Sequence, residues 1–257
     1  MTPTPASTAR TARTAIVTGA ASGIGAATVL ELARHGYRTV GIDINVDGAH
    51  AVASQAARLN PLTHSAFRAD VADEAQVIDA FDRALGFLTH LDVLVTSAGV
   101  AETTPFMDIS VATFRAVHDC NVIGTFLCIR EAAKRMQRGG RICTIASVAG
   151  LRGGGLSGTA AYAASKGGVL ALTKSAARAL AAQGICVNTV APGATDTPML
   201  AEHWKNAAHR ARVEAMSVLN RTADAHEIAS SIAFLVSAQA SAITGSTLVA
   251  DNGLMMY

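Results

Sequence analysis

Short apolar runs alternate along this chain with longer stretches in which apolar residues recur every three or four positions. The runs Ala15–Thr18, Arg38–Asp43, Thr63–Ala69, Leu91–Thr96, Arg141–Ala146, Ile185–Val190 and Thr247–Ala250 read as strands. Few polar residues interrupt them, as expected of strands buried on both faces. The helical pattern covers a segment ending near His35, then Asp47–Leu59, Glu74–Leu88, Ser110–Gln137, Ala160–Gln183 and Ala223–Ser237. Strands separated by helices throughout predict an α/β fold, a doubly wound parallel sheet with helices on both sides. With no linker, repeat or second core, a single domain is expected over residues 14–257. Residues 1–13 (MTPTPASTARTAR) hold Thr, Ala and Pro with two arginines and no acid, and are expected to form a disordered tail.

Composition narrows the class. Half of the 257 residues are hydrophobic and 16% are charged, enough for a large core and against disorder. The net charge of +2 carries no dense run of one sign, which argues against a nucleic-acid or membrane-surface partner. No apolar run approaches the roughly 18 residues a membrane helix needs. Four cysteines without a Cys-x-x-Cys pair suit reduced thiols and a cytoplasmic location. Of these, Cys143 and Cys186 read as small core hydrophobes. Eight histidines show no close metal-ligand spacing; the nearest pair is His203 and His209, and no metal is expected.

The first strand ends in Thr18-Gly19-Ala20-Ala21-Ser22-Gly23-Ile24-Gly25, which opens the first helix. Gly19, Gly23 and Gly25 permit a tight turn and close approach of backbone to a pyrophosphate, and the helix N-terminus favours its charge. Asp43 ends the second strand, 18 residues beyond Gly25. A carboxylate there accepts hydrogen bonds from ribose hydroxyls and repels a 2′-phosphate. No Lys or Arg lies in the turn, and Ile44 follows Asp43, so NAD is expected over NADP. Asp70 and Val71, after the third strand, are candidates for the adenine edge. Both aspartates also suit ordinary turn chemistry.

In the Ala160–Gln183 helix, Tyr162 and Lys166 stand at i and i+4 and share a face. A fixed cation beside a phenol favours the phenolate and lowers its pKa, so that it can exchange a proton with an alcohol near neutral pH. Alone, such a spacing is common by chance, and an ordinary helix with a surface Lys and a half-buried Tyr is the simpler reading.

Taken together and in order, Thr18-Gly19-x-x-x-Gly23-Ile24-Gly25, Ala98-Gly99, Asn121, Ser147, Tyr162-x-x-x-Lys166 and Pro192-Gly193-Ala194-Thr195-Asp196-Thr197 resemble the short-chain dehydrogenase/reductase family. Ile243-Thr244-Gly245 with Asp251 and Gly253 is similar to its final strand. The resemblance spans residues 14–253 and implies a Rossmann-like fold and hydride transfer between NAD(H) and a secondary alcohol or ketone. It implies Tyr162 as general acid/base, Ser147 as donor to the substrate oxygen, and Lys166 as the cation that tunes Tyr162 and binds the nicotinamide ribose. Asn121 would hold a water linking Lys166 to solvent. Gly19, Ser22, Gly23, Ile24, Gly25, Asp43, Asp70, Val71, Ala98, Gly99, Tyr162, Lys166, Pro192, Gly193, Thr195 and Thr197 would form the cofactor site, and a homotetramer would be the assembly. Two features depart from the family. Thr96-Ser97 stands where Asn-Asn is usual, and Ser147 and Tyr162 are 15 apart rather than about 13, with the excess in a flexible glycine-rich loop, Leu151 to Gly158. Rival readings are an NADPH-dependent 3-oxoacyl thioester reductase acting on acyl carrier protein or coenzyme A, and a non-catalytic NAD-binding scaffold or sensor.

The segment Thr195 to Leu219 resembles the family's mobile lid and carries His203, Trp204, Lys205, His209, Arg210 and Arg212. With Arg152 it would favour an anionic substrate; a solvated helical face is the alternative. Met199, Leu200 and Trp204 are candidates for an apolar substrate wall. The sequence names no substrate.

Overall fold

The computed structural model describes residues 12–154 and 160–256, except the side chains of residues 202 and 203. Most of the proposed tail and residues 155–158 of the glycine-rich loop therefore lie outside the described residues.

In chain order the elements are β1 (Thr14–Thr18), α1 (Gly23–Arg34), β2 (Arg38–Asp43), α2 (Val46–Leu59), β3 (Ser65–Arg68), α3 (Glu74–Leu88), β4 (Val93–Thr96) and α4 (Val111–His118). A single π-turn, Asp119–Ile123, leads into α5 (Gly124–Ala133), followed by β5 (Arg141–Ile145), α6 (Val148–Arg152), α7 (Ala160–Leu180) and β6 (Cys186–Pro192). After these come β7 (Thr195–Asp196), α8 (Ala201–Trp204), α9 (Ala207–Glu214), β8 (Ala223–Asp224), α10 (Ala225–Leu235) and β9 (Thr247–Ala250).

Seven parallel strands form one sheet in the order β3-β2-β1-β4-β5-β6-β9. The chain winds outward from β1 in one direction and resumes at β4 in the other. Thr18 pairs with Ile42 on one side and with Thr96 on the other. The β1/β4 boundary is the point where strand order reverses, and loops leaving the carboxyl ends of these strands part there to leave a crevice.

Both faces of the sheet are buried. Ala15, Val17, Val93, Val95, Cys143 and Ile145 pack with α1 and α10 residues such as Leu32, Ile228 and Ile232. Their alternates Ile16, Leu94 and Ile142 pack on the other side with Phe81 and Leu88 of α3 and Leu127 of α5. Alternation of side chains within each strand, with apolar residues on both sides, explains the continuous apolar runs.

Three local features differ from the sequence reading, the first two with a clear physical cause. The expected helix over 110–137 is broken at its middle by the π-turn and ends at Ala133. The turn is where Asn121 leaves the regular ladder to serve another contact, a common reason for a π-bulge. Residues 148–152 form a short helix instead of loop, because Ser147 accepts a hydrogen bond from the Ala149 N–H (3.1 Å) as its N-cap. The strand after α7 runs on to Pro192. By contrast α7 closes where its glycine signal lies, Gly184 adopting a left-handed φ of 70°.

Candidate active site

A cleft of about 790 Å³ opens over the carboxyl ends of the strands at the β1/β4 boundary. Gly19, Ser22, Gly23, Ile24, Asp43, Asp70, Val71, Ala98, Gly99, Ser147, Tyr162, Lys166, Pro192, Gly193, Thr195 and Thr197 line it, as do Arg152, Met199 and Trp204. Two sequence candidates, Gly25 and Asn121, stand behind its wall.

Gly25 serves the turn from beneath: a Cβ there would lie 1.9 Å from the Gly19 carbonyl oxygen. Gly19 has a φ of +68°, and a Cβ on it would meet the Ala98 backbone nitrogen at 2.6 Å. The turn is thus pressed against the end of β4, which explains why Ala98-Gly99 belongs to the same pattern. Ser22 caps α1 in extended conformation but makes no side-chain bond to it, leaving the first-turn N–H groups directed outward. That is the donor set of a phosphate cradle, and it fits a dinucleotide. Asp43 braces the turn, accepting from the Ala21 N–H (2.9 Å) and, through its other oxygen, from the Asn45 N–H (2.8 Å). Each oxygen keeps lone pairs for a ribose. The sheet also sets Arg68 in register beside Asp43, a neighbour invisible in sequence; Arg68 does not line the cleft.

Ser147, Tyr162 and Lys166 converge on the other half. The Ser147 hydroxyl, besides capping α6, hydrogen-bonds the Tyr162 phenol, and this bond works to lower the phenol's pKa. Burial wins, however, and raises it above the ordinary value. The expected lowering by Lys166 is therefore not found in the chain itself. Burial also pushes the Lys166 ammonium down to about 8. Its Nζ donates to the Ile145 carbonyl (2.9 Å) and lies 5.7 Å from the centre of the Tyr162 ring. A desolvated cation at that range, tied to a carbonyl, does not outweigh the loss of water around a phenolate.

Asn121, fully buried, holds the β4–α4 connection. Its Oδ1 accepts from the Val100 N–H (2.8 Å), and its Nδ2 donates to the Val100 carbonyl (2.9 Å) and to Ser165 Oγ (2.9 Å). Ser165, missed by sequence reading, in turn donates to the Tyr162 carbonyl (2.7 Å). A Cβ on Gly99 would lie 3.2 Å from Asn121 Oδ1 and 3.4 Å from Lys166 Nζ, so these three positions meet at one point. Cys120, Ile145 and Val100 complete this wall; nothing in their sequence context marks them, because ordinary core residues serve.

The far end is covered by Thr195–Glu214. Met199, Leu200, Trp204, His209 and Val213 line the cleft. The expected basic lid is largely self-neutralised: Arg210 bonds Glu214 (2.8 Å), reaches Asp196 (3.6 Å) and stands over the Trp204 ring at 5.5 Å. Arg212 contacts His209 Nδ1 (3.3 Å). No cluster of His, Cys, Asp and Glu among the described residues could hold a metal, and no helix among them is long and apolar enough to cross a membrane.

The family model described as enoyl-(acyl carrier protein) reductase matches residues 19–255. A cis-4-hydroxycyclohexanecarboxylate dehydrogenase of Sinomonas cyclohexanicum is 42% identical over 94% of this chain and 96% of its own length. The chain is a short-chain dehydrogenase/reductase. Among other relatives of this short-chain dehydrogenase/reductase, a 3-oxoacyl-(acyl-carrier-protein) reductase of Synechocystis is 37% identical over 97% of the chain and all of its own length. A D-threitol dehydrogenase of Mycolicibacterium smegmatis is 38% identical over 94% of the chain and 92% of its own. The crystal structure of a short-chain type dehydrogenase/reductase from Mycobacterium marinum superposes with a TM-score of 0.89 at 30% identity, covering 95% of this chain and 96% of that one. The protein is accordingly an oxidoreductase acting on alcohol or ketone groups with a nicotinamide cofactor.

Proposed function

We propose that this short-chain dehydrogenase/reductase interconverts a secondary alcohol and a ketone with NAD(H), using Ser147, Tyr162, Lys166 and Asn121. The observation that carries the reading is the convergence of Ser147, Tyr162 and Lys166 in the same cleft as the α1 phosphate cradle and Asp43. The first-turn N–H groups of α1 would hold the pyrophosphate, Asp43 the adenosine ribose, Asp70 and Val71 the adenine edge, and Lys166 the nicotinamide ribose. Pro192, Gly193, Thr195 and Thr197 would flank the nicotinamide. Bound NAD supplies the carbon that accepts or returns hydride.

The chain's own work is proton transfer and charge control. In oxidation Tyr162 takes the hydroxyl proton as the carbon–hydrogen bond breaks; in reduction it returns that proton. Ser147, its oxygen fixed by the Ala149 N–H, directs its own proton at the substrate oxygen and steadies developing negative charge there. Lys166 adds positive field beside the phenol. Asn121 is a positioning residue: through Val100 and Ser165 it fixes the wall on which Lys166 and Tyr162 stand. Its Oδ1 keeps one lone pair facing the Lys166 side, suited to a relay water.

Asp43 favours NAD, since its carboxylate opposes a 2′-phosphate. Dissociation constants for NADH and NADPH test this: NADH should bind at least roughly tenfold more tightly, and a preference for NADPH would reverse the assignment. The second reading, an NADPH-dependent 3-oxoacyl thioester reductase, is favoured by the Synechocystis relative and opposed by Asp43. A screen of hydroxy acids, including hydroxycyclohexanecarboxylates, of polyols and of acyl thioesters separates the two. A homotetramer remains the proposed assembly, read by analytical ultracentrifugation.

A further inference from the structure

Arg152 stands apart among the cations around the cleft. It lines the cleft, is exposed, and makes no hydrogen bond or ion pair with any described residue. Arg210 and Arg212, by contrast, are engaged within the chain. Arg152 also does not sit on a loose loop. It ends α6, the helix that Ser147 caps, five residues and therefore about 7.5 Å of helical rise from that hydroxyl. The helix is locked in place: a Cβ on Gly150 would come within 2.5 Å of the Gly167 N and 2.6 Å of the Lys166 carbonyl carbon. The position of the Arg152 backbone relative to Ser147 is thereby set by backbone against backbone.

The same cleft is lined by apolar Leu200 and Val213, with the half-exposed Met199. The buried indole N–H of Trp204 has no acceptor among the described residues. Of the carboxylates lining the cleft, Asp43 braces the glycine turn and Asp70 its own loop. Asp119 lies in the π-turn that carries Asn121. Glu102 accepts from the Thr104 N–H. Asp119 is the exposed carboxylate of the cleft, on the π-turn, whereas Arg152 offers its exposed guanidinium from the end of α6.

Building on the reaction proposed above, we infer that the substrate is a hydroxy acid, or its keto acid, whose carboxylate is held by Arg152 across an apolar ring or short chain from the reacting carbon. A guanidinium presents paired donors to a carboxylate, and an apolar spacer fits the side walls. Arg152 is then the specificity residue, acting on binding more than on chemistry.

The test compares, with NAD, each hydroxycarboxylate of the screen with its methyl ester. Wild type should favour the carboxylate by roughly tenfold or more in kcat/KM, carried by KM. In Arg152→Ala that ratio should collapse, and Arg152→Lys should restore part of it. A second measurement is independent of turnover: calorimetric binding of cyclohexanecarboxylate, which has no hydroxyl to oxidise, should be lost in Arg152→Ala. Equal treatment of acid and ester by wild type, or unchanged binding of cyclohexanecarboxylate in the variant, overturns the inference. Loss of turnover for every compound, with carboxylate binding still dependent on Arg152, would count against the proposed reaction and leave the anion site standing.

Discussion

The two sides of the cleft are built on different terms. On one side α6 and α7 touch through Gly150 and Gly167, and the Asn121 carboxamide stitches α7 to the β4–α4 connection. Each position there is set by a backbone contact or a directed hydrogen bond, so few residue types satisfy it. On the other side, Thr195–Glu214 consists of a two-residue strand and short helices held by surface ion pairs and apolar side chains. Such contacts accept many side chains of similar size. Under the proposed function the first side would carry the chemistry and, through Arg152 on α6, the hold on a carboxylate, while the second would shape the rest of the substrate wall. Under that reading, reaction class would be strongly constrained by residue identity, and the shape of the wall opposite more weakly.

The contrast is tested most severely by Tyr162→Phe. The variant should fold as wild type, since only the phenol oxygen goes, while kcat falls by roughly a thousandfold for removal of a general acid/base. Circular dichroism and steady-state kinetics read both quantities; near-normal turnover would remove Tyr162 from the chemistry. Gly150→Ala comes next. Its methyl cannot be accommodated against the Gly167 backbone, so we expect a loss of about 2–3 kcal/mol in urea unfolding, together with lowered kcat. Gly153→Ala is the control: no atom of the described residues lies within 4 Å of its Cβ. Only the strain of φ +81° is incurred, about 1 kcal/mol.

The same contrast explains what could be read from the chain before its fold. The strands were legible because burial on both faces makes them uniformly apolar, and the meeting of Tyr162 with Lys166 because positions i and i+4 share a helix face. Ser165 was not, since a serine in a helix carries no signal until Asn121 is placed beside it. The α6 helix was hidden by its glycines, which read as flexibility although Gly150 is there for close packing. The pKa of Tyr162 was misjudged because spacing reports the neighbouring lysine but not the water excluded from both groups. Arg68 beside Asp43 is a fact of strand register, which sequence separation conceals.

Behind the fixed side stands Glu131 on α5, almost wholly buried. Burial works to raise its pKa, yet hydrogen bonds from Lys134, Arg135 and Arg130 hold it at about 2. Arg130 and Arg135 also reach Glu74 and Asp82 of α3, so the carboxylate ties α3 to the helix beneath the active site. Its folded pKa lies below the unfolded value, so its contribution is complete above about pH 4.5 and is lost as pH falls toward 2. Glu131→Gln should cost about 2 kcal/mol at pH 7. The gap from wild type should close on acidification, as followed by urea unfolding at stepped pH.

Lys166 gives a smaller effect of opposite sign. Its folded pKa of about 8 lies below the unfolded value, so burying the cation destabilises the fold at neutral pH, and stability recovers as pH rises above 8. Lys166→Met should abolish turnover while stabilising the cofactor-free protein by about 1–2 kcal/mol at pH 7. The gain is limited by the Ile145 carbonyl left without its donor, and it should shrink toward pH 10.

The smallest effect is expected on the covering segment. Arg210→Ala removes bonds to Glu214 and Asp196 and the cation over Trp204. Arg210 and Asp196 are solvent-exposed and Glu214 partly so, and water screens such pairs so that they contribute little. Melting should shift by no more than a degree or two, and kcat/KM for the preferred substrate by no more than about threefold. A tenfold loss would mean that this segment is as tightly specified as the wall it faces, and the distinction between the two sides would fail. The pair Arg152→Ala and Arg210→Ala therefore isolates the decisive variable: both lose a guanidinium near the same cleft, but only the first is set on a helix packed against the α7 backbone at Lys166 and Gly167 and has no partner among the described residues.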